Sequence, residues 1–147
     1  MTNETVTVLL VEDDDIDAET VIRSFNKLKI GNPVRHARDG EEALDILRGA
    51  NGSEPIEGPF IILLDLNMPR LDGHEFLTEL RNDPELNQAV VFVLTTSKAD
   101  EDRHKAYKMN VAGYIVKQET GSGFIEGVIM LEQFFRVVGF PNPKAAS

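Results

Sequence analysis

The sequence contains no cysteine, which excludes disulfides, thiolate metal sites and cysteine nucleophiles. It is also short of positive charge: 15 Lys and Arg stand against 25 Asp and Glu, for a formal net charge of −10. That deficit disfavours non-specific nucleic-acid binding, which needs cations to neutralise phosphates, and no basic stripe or recognition-helix pattern offsets it. Long hydrophobic runs are missing as well. The longest, such as residues 60–64, are far too short to span a bilayer, and residues 1–5 lack the basic flank and apolar stretch of a signal peptide. A cytoplasmic protein with no membrane or nucleic-acid partner is expected. His36, His74 and His104 lie among polar neighbours without ligand spacing and read as surface residues. No glycine-rich phosphate loop follows the first apolar run. Glu12, Asp13, Asp14 and Asp15 occupy that place and would repel a phosphate in the absence of a metal, which argues against a nucleotide- or flavin-binding module.

What is present is an alternation of short β-rich runs with helical stretches. Residues 6–11 form the first run, and after the acidic cluster Ile16, Val21, Ile22, Phe25 and Leu28 recur near helical spacing until Gly31 and Pro33. Residues 34–37 make a weak second strand. Asp39-Gly40 is a turn signal leading into a helix that carries Ala43, Leu44 and Leu47. Residues 49–59 read as a surface loop. Residues 60–64 are apolar on consecutive positions, the mark of a strand covered on both faces. A loop over 65–73, a helix through Glu75 and Leu80, a strand over 90–94, a helix over 98–110, a strand over 113–116 and a final helix over 124–138 complete the chain. Five strands alternating with five helices predict an α/β fold: a doubly wound, five-stranded parallel sheet of order 2-1-3-4-5 with helices on both faces. In 147 residues there is room for one such domain.

Ligands of doubly wound sheets bind beyond the carboxyl ends of the strands. Here strand 1 ends at Glu12 and Asp13, strand 3 at Asp65, strand 4 at Thr95 and strand 5 at Lys117. Three carboxylates, a hydroxyl and an ammonium from four separate segments would share one rim. Close carboxylates repel unless a counter-charge is present, and a hard divalent cation such as Mg²⁺, or Mn²⁺, supplies it through oxygen ligands. A carboxylate held beside such an ion can attack a phosphoryl group. Lys117 and the Thr95 hydroxyl would stabilise the transferring oxygens.

The blocks VLLVEDD, LLDLNMPRLDGHEFL, VLTTS and GYIVK, in this order, resemble those of bacterial two-component response-regulator receiver domains over roughly residues 6–138. The chain looks similar to small stand-alone regulators of the cyanobacterial phytochrome type. The resemblance implies a flavodoxin-like receiver fold and assigns Asp65 as phosphoacceptor, with Asp13 and Glu12 as the acidic pair of the metal site. Asn67 would lend the metal a backbone carbonyl, Thr95 and Tyr114 would be the switch residues, and Lys117 would contact the phosphate. It further implies one receiver domain over 1–147 with a short C-terminal extension and no output domain, acting as a phosphoacceptor and not as a turnover enzyme. A sensor histidine kinase, of the phytochrome type, and a downstream protein or phosphotransfer relay are the implied partners. One residue departs from the pattern. Gln118 follows Lys117 where the family carries a proline joined by a cis bond. A cis bond before any other residue costs about 2.5–4 kcal/mol, so this loop is either trans and differently shaped or strained.

Competing readings rest on single residues. Haloacid-dehalogenase-like phosphatases place a second Asp two positions after the nucleophile as general acid; Asn67 stands there and cannot move a proton. An unphosphorylated docking module would not need the full set of site residues. Asp14 or Asp15 reads as a helix N-cap and Asp72-Gly73 as a turn that starts the third helix. Phe134, Phe135, Val137, Val138 and Phe140 exceed what one helical face buries; they either cap the core locally or, as the resemblance to stand-alone regulators implies, form a symmetric homodimer contact on the fourth and fifth helices.

Overall fold

Residues 60–65 are apolar until the final Asp, and they form the strand at the centre of the sheet. The computed structural model describes residues 6–27, 31–65, 73–95, 110–116 and Gln133, with Thr95, Tyr114 and Val116 described by their backbone. The elements are β1 (Thr7–Val11), α1 (Asp15–Lys27), β2 (Val34–Ala37), α2 (Gly40–Arg48), β3 (Phe60–Asp65), α3 (Gly73–Asn82), β4 (Val90–Thr95) and β5 (Gly113–Val116). The sheet order is β2-β1-β3-β4-β5 and every pairing is parallel, as the pattern of runs predicts. The helices expected over 98–110 and 124–138 lie outside the described residues, except for Asn110, which is in a turn, and Gln133, which is helical and exposed.

Strand alternation splits the core in two. Leu9, Val11, Ile62, Leu64, Val91 and Val93 face α2 and α3, and pack with Leu44, Leu47, Phe76, Leu77 and Leu80. Val8, Leu10, Ile61, Leu63, Phe92, Leu94 and Ile115 face α1 and pack with Ala18, Val21 and Phe25. All six residues of β3 are buried, which accounts for its unbroken apolar run. Each fully buried Leu or Ile contributes roughly 1.5–3 kcal/mol relative to exposure. Ile16 differs from the expectation. It is 74% exposed, because five residues before Val21 is about 140° around the helix from the buried stripe.

Helix ends are set by named side chains. Asp14 caps α1, its carboxylate accepting from the backbone N–H of Ile16 at 2.8 Å and of Asp17 at 3.1 Å. Asp39 caps α2 through the N–H of Glu42 at 2.8 Å, and Gly49 closes it in the left-handed region at φ 64°. Arg81, at the end of α3, donates to the carbonyls of Asn87, Ala89 and Asn110 at 2.9, 2.8 and 3.1 Å. It thereby ties α3 to the start of β4 and the approach to β5. Burial pushes this guanidinium below its ordinary value, yet it stays charged. Among the described residues, no helix is long and apolar enough to cross a membrane.

Candidate metal centre

The register of the sheet brings the acidic residues together. Val11 pairs with Leu64 across β1 and β3, so Glu12 and Asp65 come next along the two strands. Both continue rows that face α1: Val8 and Leu10 lead to Glu12, Ile61 and Leu63 to Asp65. Asp13 follows as the chain leaves the sheet. One carboxylate oxygen from each of Glu12, Asp13 and Asp65 lies within 4.8 Å of the others. Glu12 is fully buried and Asp65 is 5% exposed, while Asp13 opens to solvent. The three acidic residues expected on the rim are therefore gathered in one place.

The chain around them is held on both sides. The N–H of Glu12 donates to the carbonyl of Ala37 at 3.0 Å. The N–H of Asp14 donates to Glu12 Oε1 at 3.3 Å, so the turn that caps α1 also bears on the acidic pair. His36 also reaches this part of the chain. It is half-buried and its Nε2 lies 2.7 Å from the backbone carbonyl of Glu12. Reading it as a surface residue is corrected by this contact. Polar neighbours on a four-residue strand hid it, although its place two residues after Val34 puts it on the α1 face, and that was the available signal. His74 is half-buried too, while His104 lies outside the described residues.

Of the other expected site residues, Thr95 ends β4 and its backbone pairs with Val116 of β5. Tyr114 pairs with Val93. Asn67, Lys117 and the Lys117-Gln118 bond lie outside the described residues, as do the apolar C-terminal positions read as a dimer contact.

The donor set of the cluster is all carboxylate oxygen, with no imidazole or thiolate among its members. Hard divalent cations such as Mg²⁺, Mn²⁺ and Ca²⁺ match such oxygens. Two buried carboxylates and a third beside them make a negative pocket whose repulsion such an ion relieves. The residues fit the group.

Known proteins of one family are similar to this chain. The family model for the response regulator receiver domain matches residues 8–128. The probable methanogenesis regulatory protein FilR2 of Methanothrix harundinacea is 39% identical over 110 residues, 75% of this chain and 70% of that protein. Response regulator Rcp1 of Synechocystis is 34% identical over 128 residues, 87% of each. The structure of the Mn²⁺-bound form of Rcp1 superposes with a TM-score of 0.82 at 33% identity, covering 93% of this chain and 99% of that one. The phosphorylated cyanobacterial phytochrome response regulator RcpA superposes with a TM-score of 0.84 at 32% identity, covering 95% of this chain and 100% of that one. On the strength of the family match, this chain belongs to the response regulator receiver domain family.

Proposed function

We propose that this chain is a stand-alone response regulator of a two-component phosphorelay, in which Asp65 takes a phosphoryl group from a sensor histidine kinase in a Mg²⁺-dependent reaction. One observation carries the reading: Asp65 ends the central strand, 5% exposed, with carboxylates of Glu12 and Asp13 within 4.8 Å. In the transfer, an Asp65 oxygen attacks phosphorus and an acyl-phosphate O–P bond forms. The N–P bond to the donor imidazole breaks, and the imidazole keeps the electron pair and gains a proton. Glu12, Asp13, Asp65 and the backbone carbonyl of Asn67 hold the cation, Mg²⁺ or Mn²⁺. When bound, such an ion neutralises charge on the transferring oxygens. Lys117 offsets further charge there, and the Thr95 hydroxyl donates to a phosphoryl oxygen.

The added charge of about −1.5 to −2 biases a two-state surface. Thr95 moves towards the phosphoryl group, Tyr114 turns inward, and the face made by the fourth helix, β5 and the final helix changes shape. A homodimer through that face and docking to a downstream protein or relay are the outputs, in the cytoplasm, with a phytochrome-type kinase upstream. Similarity to Rcp1 over 87% of both chains supports a regulator built as one receiver domain. The phosphorylated form of RcpA and the Mn²⁺-bound form of Rcp1 support the chemistry. The test is intact mass after incubation with acetyl phosphate. A gain of one phosphoryl group that requires Mg²⁺ and disappears in Asp65→Asn is expected. No gain, without rapid phosphate release to account for it, would leave a docking module that signals without phosphorylation.

A further inference from the structure

In a parallel ladder each residue of β1 offers its N–H and its C=O to the same neighbour. At Glu12 the N–H still finds Ala37 of β2, at 3.0 Å. But β2 ends at Ala37, and the chain turns to Asp39, which caps α2. The Glu12 carbonyl is met by a side chain, Nε2 of His36, at 2.7 Å. A carbonyl oxygen can only accept, so this nitrogen carries a proton. The oxygen it holds belongs to the peptide that joins Glu12 to Asp13. That unit is planar, so fixing its oxygen fixes the direction in which the backbone enters Asp13. The imidazole on β2 thus bears on the plane shared by two of the three acidic residues.

We propose that His36 is a positioning residue for the cation site: its Nε2–H holds the Glu12–Asp13 peptide so that both carboxylates converge with Asp65. This rests on the cation reading above. The grip complements the one on the far side, where Asp14 N–H donates to Glu12 Oε1 at 3.3 Å. The contact of Nε2 is to a backbone carbonyl and not to a carboxylate, so the effect through it on the ion is indirect. Outer partners of this kind commonly change metal affinity by about 10–100-fold when removed.

The test is titration of the full chain with Mn²⁺, with free Mn²⁺ followed by electron paramagnetic resonance. Wild type, Asp13→Asn, His36→Leu and His36→Gln are compared, and urea unfolding in EDTA checks the fold of each. Gln places an amide N–H near the position of Nε2, whereas Leu has similar bulk and no donor. The expected result is affinity reduced about tenfold in His36→Leu and largely restored in His36→Gln. Wild-type affinity in His36→Leu, with binding lost in Asp13→Asn, would overturn the role of His36 and leave the cation reading intact. Absence of Mn²⁺ binding to the wild type would overturn both. Should His36→Leu fail to fold, His36→Asn takes its place, because its shorter amide cannot reach the position of Nε2. Undiminished affinity in that variant would likewise overturn the proposal.

Discussion

Replacing Asp13 by Asn should make the metal-free protein more stable and deprive it of the stabilisation a divalent cation brings. Asp13 has two carboxylate neighbours, Glu12 and Asp65, with oxygens within 4.8 Å. At that separation each like-charge pair is worth about 0.9 kcal/mol in a medium of dielectric constant near 80, and several times more in one of about 20. Asp13 is exposed, so the watery limit applies, and salt at about 0.15 M screens over roughly 8 Å. Two pairs so screened leave about 1 kcal/mol of repulsion that the amide removes. Adding Mg²⁺ should reverse the order: at roughly ten times its Kd it stabilises the wild type by about 1.4 kcal/mol, and Asp13→Asn by much less. Urea unfolding in EDTA and in MgCl₂, at matched ionic strength, reads both quantities. A variant no more stable than wild type in EDTA would refute the charge-crowding argument. Equal stabilisation of both proteins by Mg²⁺ would refute the assignment of Asp13 to the site.

Arg81→Met removes three bonds from one cation to the carbonyls of Asn87, Ala89 and Asn110, and should lower urea stability by about 2–4 kcal/mol; Arg81→Lys, without the guanidinium fork, should recover only part. Gly49→Ala should cost about 1 kcal/mol, since φ is +64° while the added Cβ would meet Pro55 at an ordinary 3.5 Å; a loss of several kcal/mol in thermal or urea unfolding would mean that contact, not conformation, dominates there.

The sheet was legible because its strands are short apolar runs separated by turn residues, and a parallel order follows once each strand is followed by a helical stretch. The acidic site was legible for a related reason: Glu12, Asp13 and Asp65 each stand where an apolar run stops, and strand ends of such sheets converge. Other features depend on distances that no local pattern encodes. His36 sits in a four-residue strand among polar neighbours, and its role appears once β2 is laid against β1. Ile56 lies in a loop rich in glycine and proline yet is 6% exposed and joins the core under α2. The three carbonyls gripped by Arg81 come from positions 87, 89 and 110, and nothing in the spacing of the sequence announces that they meet. Ile16 fits a loose helical period and still faces outward, because α1 buries only the stripe through Ala18, Val21 and Phe25.

In the proposed reaction Asp65 itself carries the phosphoryl group. Borohydride reduces an acyl phosphate at aspartate to homoserine, so treating the acetyl-phosphate-labelled protein and mapping its peptides locates the modified residue. Homoserine at position 65, formed when Mg²⁺ is present and not when EDTA replaces it, is the predicted result. Homoserine at position 13, or none in a protein whose mass shows the phosphoryl group, would contradict it.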